Sequence, residues 1–180
     1  MRRATKTIPI LFCVADPVGT GLVSSLARLG ENATGIASMA EETGAKRIEL
    51  LKEFLPRAGH MGVLADPDNP ATARQLDVMQ AAADSLGVKL QILQFRHAGD
   101  LERALSASSK QRIDGLVTIS DPILNANQKL LAQHALKNRV PSIIAFRGFA
   151  EAGGLMSYGP DYSDLLQRCA VYTDKILKGA

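Results

Sequence analysis

Tryptophan is absent from the 180-residue chain, and only three tyrosines and five phenylalanines supply aromatic surface. Such a supply gives little for bases to stack on and argues against single-strand nucleic-acid binding. The 21 basic and 18 acidic residues are well mixed, leaving no basic stripe for duplex phosphates and no basic face for a membrane surface. No nucleic-acid partner is therefore expected. Long hydrophobic runs are missing too, and no segment approaches the length of a membrane span. The basic start MRRATKT followed by IPILFCVA imitates a secretory signal. Its apolar run is short, contains Pro9 and flows into the strand exit Ala15-Asp16-Pro17, so it reads as an internal strand and not as a convincing signal peptide.

Cysteine is scarce. Cys13 and Cys169 lie far apart in apolar surroundings, with no CxxC and no Cys/His spacing that would suit a metal or redox motif. Buried free thiols are the preferred reading, and spacing alone gives no ground for a disulfide. Catalytic signatures are also missing: no GxSxG elbow, no Walker-type phosphate loop, no HExxH and no dinucleotide glycine fingerprint. His60, His97 and His134 fall at a strand entrance, at a strand exit and within a helix, and make no set. No metal, no cofactor and no enzymatic activity are expected.

What is present is a regular alternation of apolar strands and amphipathic helices, with 46% hydrophobic residues to build a core. The stretch Met61–Ala73 sets the pattern. Met61, Val63, Leu64 and Ala65 make a continuous apolar strand, Pro67 ends it, and Asn69 and Pro70 suit the cap and first position of the next helix. Further strands are predicted to begin near Val88, Gly115 and Ser142, with a short one at 154–158, separated by helices at about 70–86, 100–110 and 125–138. Asp100 and Asn125 are the expected caps of the last two. Upstream, the pattern predicts a strand over 8–14, a short helix marked by Leu22, Val23, Leu26 and Leu29, an extended piece at 32–38 and a helix from about Glu41 to Leu55. A final helix spans about 161–178. Such alternation argues for an α/β fold with a parallel sheet, one flavodoxin-like unit being complete between about 40 and 158.

Open α/β sheets bind ligands at the carboxyl ends of their strands. Asp-Pro follows three of the apolar runs, placing Asp16, Asp66 and Asp121 at such exits as acceptors for an amine or hydroxyl group. Asp-Pro is also a common turn opener, which is the bland reading of each one singly. The helix start after Asn69 offers amides to a carboxylate unless its own caps satisfy them. Phe146 and Arg147, with Phe149, follow the fourth strand and suit stacking on or clamping a ligand; Arg147 suits a surface ion pair equally well. Tyr158, before Gly159-Pro160, sits at a hinge-like junction as a ligand contact or a structural bridge.

Together the strings IPILFCVADPVGTGLVSSLARLGENATGIAS, KRIELLKEFLP, ADPDNPAT, GLVTISDP and FRGFAEAGGLMSYGPDYSDLLQRCAVYTDKILKGA resemble the ABC-transporter substrate-binding protein family of the type I periplasmic-binding fold. The resemblance covers essentially the whole chain. It implies residues 1–37 as the remnant of a first lobe, 38–158 as the second α/β lobe, and 159–180 as a hinge and a helix returning to the first. It implies a small organic solute as ligand, with an amino acid fitting the acidic exits, a membrane ABC permease as partner, and a periplasmic or extracytoplasmic location. Intact members carry an export signal and more strands, so the resemblance implies a truncated member, with self-association through exposed apolar faces of the first-lobe remnant. Two other readings stand beside it: the ligand-sensing lobe of a transcription regulator, and a flavodoxin-like enzyme using Asp16 or Asp121 as base.

Overall fold

The computed structural model describes residues 5–19, 21–25 and 32–179. Contacts divide these into two units, one from the ranges 1–39 and 160–180, the other Ala40–Gly159. The larger unit carries a five-stranded parallel sheet, β3 (His60–Ala65), β4 (Lys89–Gln94), β5 (Gly115–Thr118), β6 (Ser142–Ile144) and β7 (Met156–Ser157), in the spatial order β4-β3-β5-β6-β7. The chain moves outward from β3 to β4, then returns past β3 to β5. The direction of winding therefore reverses between β3 and β5. In open α/β sheets that reversal opens a crevice above the carboxyl ends.

Burial explains the strand sequences. Every residue of β5 and β6, and all of β3 after His60, is buried, as continuous apolar runs covered by helices on both faces require. The edge strand β4 reads KLQILQ, and its polar residues blunt the exposed hydrogen-bonding edge. Helices α1 (Ala40–Phe54) and α2 (Thr72–Ser85) pack on each other. Helices α3 (Leu101–Lys110) and α5 (Gln128–Asn138) meet at Ser108 and His134. Right-handed crossovers in opposite winding directions put α2 on one face and α3 and α5 on the other.

Four local expectations are corrected. Helix α2 begins at Thr72, two residues after Pro70, because the side chain of Asn69 accepts from the Ala71 amide and closes a turn there instead of capping the helix. Asp100 does occupy the N-cap position of α3 but makes no side-chain capping bond there; it ends a 3₁₀ turn, and its carboxylate accepts from the Arg96 amide at 3.1 Å. Asn125 is not a cap either. It lies inside a short helix α4 (Pro122–Ala126), which Asp121 caps and which the chain leaves at Asn127 before α5. A further short helix, α6 (Arg147–Glu151), follows β6 where no helix was expected.

In the smaller unit β1 (Ile10–Val14) pairs in parallel with β2 (Ala33–Ala37), and α7 (Tyr162–Leu177) packs on both. The helix expected through Leu22–Leu29 falls partly outside the described residues, and 22–25 form bends and loop.

Candidate functional site

The reversal between β3 and β5 brings two of the Asp-Pro exits together. Past β3, Asp66 is only 7% exposed, its Oδ1 accepting from the Asp68 amide at 2.9 Å. Its carbonyl accepts from the Thr72 hydroxyl at 2.5 Å, which fastens the first turn of α2 to the strand exit. Past β5, Asp121 Oδ1 accepts from the amides of Ile123 and Leu124 at 2.7 and 3.4 Å, so this carboxylate holds the start of α4. Its Oδ2 accepts from the Asn69 Nδ2 amide at 2.7 Å, bridging the crevice.

Two buried polar side chains that sequence reasoning missed hold this edge from below. Gln75 acts as a substitute strand partner for Ser120: its Oε1 accepts from the Ser120 amide at 2.7 Å and its Nε2 donates to the Ser120 carbonyl at 3.2 Å. Arg47 is 0% exposed, and donates to the carbonyls of Thr118 at 3.1 Å and Tyr158 at 2.9 Å, tying the exits of β5 and β7 together. A buried guanidinium is tolerated when such acceptors replace its water. The signal was in the spacing. Arg47 shares the i, i+3, i+4, i+7 stripe of Gly44, Ile48 and Leu51, and Gln75 that of Thr72 and Met79, so both polar residues fall on the buried faces of their helices.

Ser120 is 8% exposed, and its buried Oγ has no hydrogen-bond partner among the described residues. It lies between the Gln75 clamp and the Asp121 cap, on the same strand exit. A buried hydroxyl without a protein partner is a group that a bound molecule can satisfy.

The other candidates are placed differently. Tyr158 follows β7, with its amide donating to the Ile144 carbonyl at 2.9 Å and its side chain 43% exposed. Phe146 is buried at the start of α6, and Phe149 is buried within it. Arg147 is exposed, and its Nε donates to Glu151 Oε1 at 2.9 Å, the surface pairing that was its alternative reading. Asp16 belongs to the smaller unit, where its Oδ1 accepts from the amides of Val18 and Gly19 at 3.1 and 2.7 Å and shapes the turn after β1. The amides of Ala71 and Thr72 are engaged by the side-chain oxygen and the carbonyl of Asn69, so these two are not available to an anion.

Farther along the same edge, past β4, Arg96 pairs with Asp68. Burial alone would raise the Asp100 carboxyl, but the Arg96 amide, His97 and Arg103 outweigh it and hold the group below the ordinary aspartate range. None of the three histidines hydrogen-bonds to Asp66, Asn69 or Asp121; His134 faces Ser108 between two helices, and His60 stands at the amino end of β3. No metal-binding cluster occurs among the described residues. The edge is thus a set of oriented hydrogen-bonding groups without a nucleophile and base in contact, an arrangement suited to holding a polar solute.

A parallel sheet of this order, with helices on both faces, is consistent with a lobe of the type I periplasmic-binding fold. The chain belongs to the ABC transporter substrate binding protein family, whose sequence model matches residues 1–180. It is 28% identical over 177 residues to a tyrosine-binding protein of Clostridioides difficile (strain R20291), covering 98% of this chain and 50% of that protein. The crystal structure of a conserved domain protein from Vibrio cholerae O1 biovar El Tor superposes with a TM-score of 0.84 at 30% identity, over 99% of this chain and 60% of that one. The ligand-free, open structure of a substrate binding protein with adhesive properties from Clostridium difficile gives a TM-score of 0.67 at 30% identity, over 99% and 60%. The chain therefore spans between half and about three fifths of the length of these relatives.

Proposed function

We propose that this chain forms part of the solute-binding component of an ABC import system and that the carboxyl edge of its Ala40–Gly159 unit contacts a small organic solute of the amino-acid class. The observation that carries the reading is the Asn69–Asp121 bridge at the point where the strand order reverses, with the unpartnered Ser120 hydroxyl beside it. Asp66 and Asp121 offer carboxylate oxygens to an ammonium group, Ser120 offers a hydroxyl to a carboxylate, and the half-exposed Tyr158 ring offers an apolar surface to a side chain. The tyrosine-binding relative supports an aromatic amino acid within that class. In this reading Asp16 and Arg147 serve a turn and a surface ion pair, and the ligand contacts are Asp66, Asn69, Asp121, Tyr158 and the added Ser120.

The same reading makes a membrane permease the partner and places the protein outside the cytoplasm, with binding and release, not turnover, as its activity. No helix among the described residues is long and apolar enough to cross a membrane.

Calorimetric titration of the full chain with L-tyrosine, other L-amino acids and simple sugars tests it. Saturable heat with an amino acid, lost in Asp66→Ala and weakened in Ser120→Ala, is the expected result. Heat with sugars alone would sink the amino-acid class, and no heat with either would sink solute binding by this chain.

A further inference from the structure

The chain's two cysteines are far apart in sequence, yet the smaller unit brings them together. Along β1 the side chains alternate. Ile10, Phe12 and Val14 face a cluster with Val23 and Ala33, so Leu11 and Cys13 point to the opposite side of the ribbon. Helix α7 packs on β1. Within α7, Tyr162, Leu165, Cys169 and Ile176 are the positions withdrawn from solvent, spaced by three, four and seven residues so that they share one stripe. The two periodicities meet at Cys13 and Cys169. Cys169 stands near enough to Cys13 to act on its thiol, and both cysteines are free and half-buried. Burial first, and then the neighbouring Cys169, push the Cys13 thiol above its ordinary range.

We propose that Cys13 and Cys169 are a dithiol–disulfide pair that a small-molecule disulfide converts into an intramolecular bond joining α7 to β1. One cysteine loses its proton and attacks the oxidant's S–S bond, forming a mixed disulfide and releasing half of the oxidant as a thiol. The second cysteine, likewise deprotonated, attacks the protein sulfur of that mixed disulfide and releases the other half. One S–S bond forms in the protein and one breaks in the oxidant; two protons and two electrons pass to the oxidant, which ends as two thiols. The bond closes a loop over most of the chain, so it restricts the unfolded state far more than the folded one. The pairing stands independently of the solute reading.

The test is incubation of the full chain with oxidised glutathione, followed by alkylation, peptide mass analysis and thermal melting. The expected product is a monomer that has lost two hydrogens, yields a Cys13–Cys169 linked peptide and melts at a higher temperature, an increase that a reducing thiol reverses. Cys169→Ser is expected to carry at most one glutathione, on Cys13, and to show no such increase. Glutathione retained on both cysteines, disulfide-linked dimers, or thiols that stay reduced in the native protein while the denatured chain reacts would each overturn the proposal.

Discussion

Asn69 and Asp121 come from different strand exits and meet across 2.7 Å, the side-chain amide of one donating to Oδ2 of the other. The same aspartate caps α4 through Oδ1. One carboxylate thus orients a helix and a loop on both sides of the crevice, which makes it a structural member of the edge as well as a candidate ligand contact.

Asp121→Ala removes the cap and the bridge together and is expected to cost about 2–3 kcal/mol in urea unfolding, against ~1 kcal/mol for Asn69→Ala, which loses the bridge and its own turn contact. The double variant is expected to be less destabilised than the sum, by about 0.5–1 kcal/mol. Strict additivity would show that the bridge contributes nothing.

Close approach of neighbouring atoms, main chain at one and an aromatic ring at the other, is the reason for glycine at two positions of the EAGGLMSYGPD string. A Cβ at Gly159 would lie 2.3 Å from the Ala145 carbonyl oxygen, and one at Gly154 would lie 2.2 Å from the Phe149 ring. Gly159→Ala is expected to destabilise by about 1–3 kcal/mol, because the obstructing atom is main chain at the exit of β6 and cannot turn aside. Gly59, where nothing lies within 4 Å of an added Cβ, is the control. Gly59→Ala is expected to be neutral or to stabilise by about 0.4–1 kcal/mol through the unfolded state. Equal losses at Gly159 and Gly59 in denaturant unfolding would refute the steric account.

His134 is held below its ordinary value of 6.5, first by burial and then by Lys137. The unfolded chain therefore binds more protons than the folded one just below that pH. The associated stability is fully present above the ordinary value, declines as pH falls through it, and is lost by the depressed folded-state value. Melting temperatures measured between about pH 7 and pH 5 are expected to fall less steeply for His134→Gln than for the parent. Parallel slopes would assign the acid sensitivity to other groups.

The sequence legibly encodes what depends on neighbours along the chain. Apolar runs ending in Asp-Pro are strands whose exits carry acidic groups, and the strands that were expected from Met61, Val88, Gly115 and Ser142 are all present. Where local preference competes with a tertiary partner, local reading fails. Asn69 has the chemistry of a helix cap, but it closes a turn and donates its amide to Asp121. Asp100 departs for a local reason instead: its carboxylate accepts from the Arg96 amide and the Arg103 guanidinium on its own stretch of chain. Arg47 and Gln75 belong to the types most often found in water, and here buried carbonyls and amides on other elements are their partners.

By itself, then, the sequence determined the main strands and longer helices, the acidic strand exits and the family to which the chain belongs, because periodicity, turn residues and glycine placement act over a few positions. Only the tertiary structure decided that β5 returns beside β3, setting Asp121 against Asn69, Gln75 against Ser120 and, in the other unit, Cys13 against Cys169. Strand order and helix docking are settled by burying apolar faces over long sequence separations, and no local pattern records which partner a polar side chain will meet there.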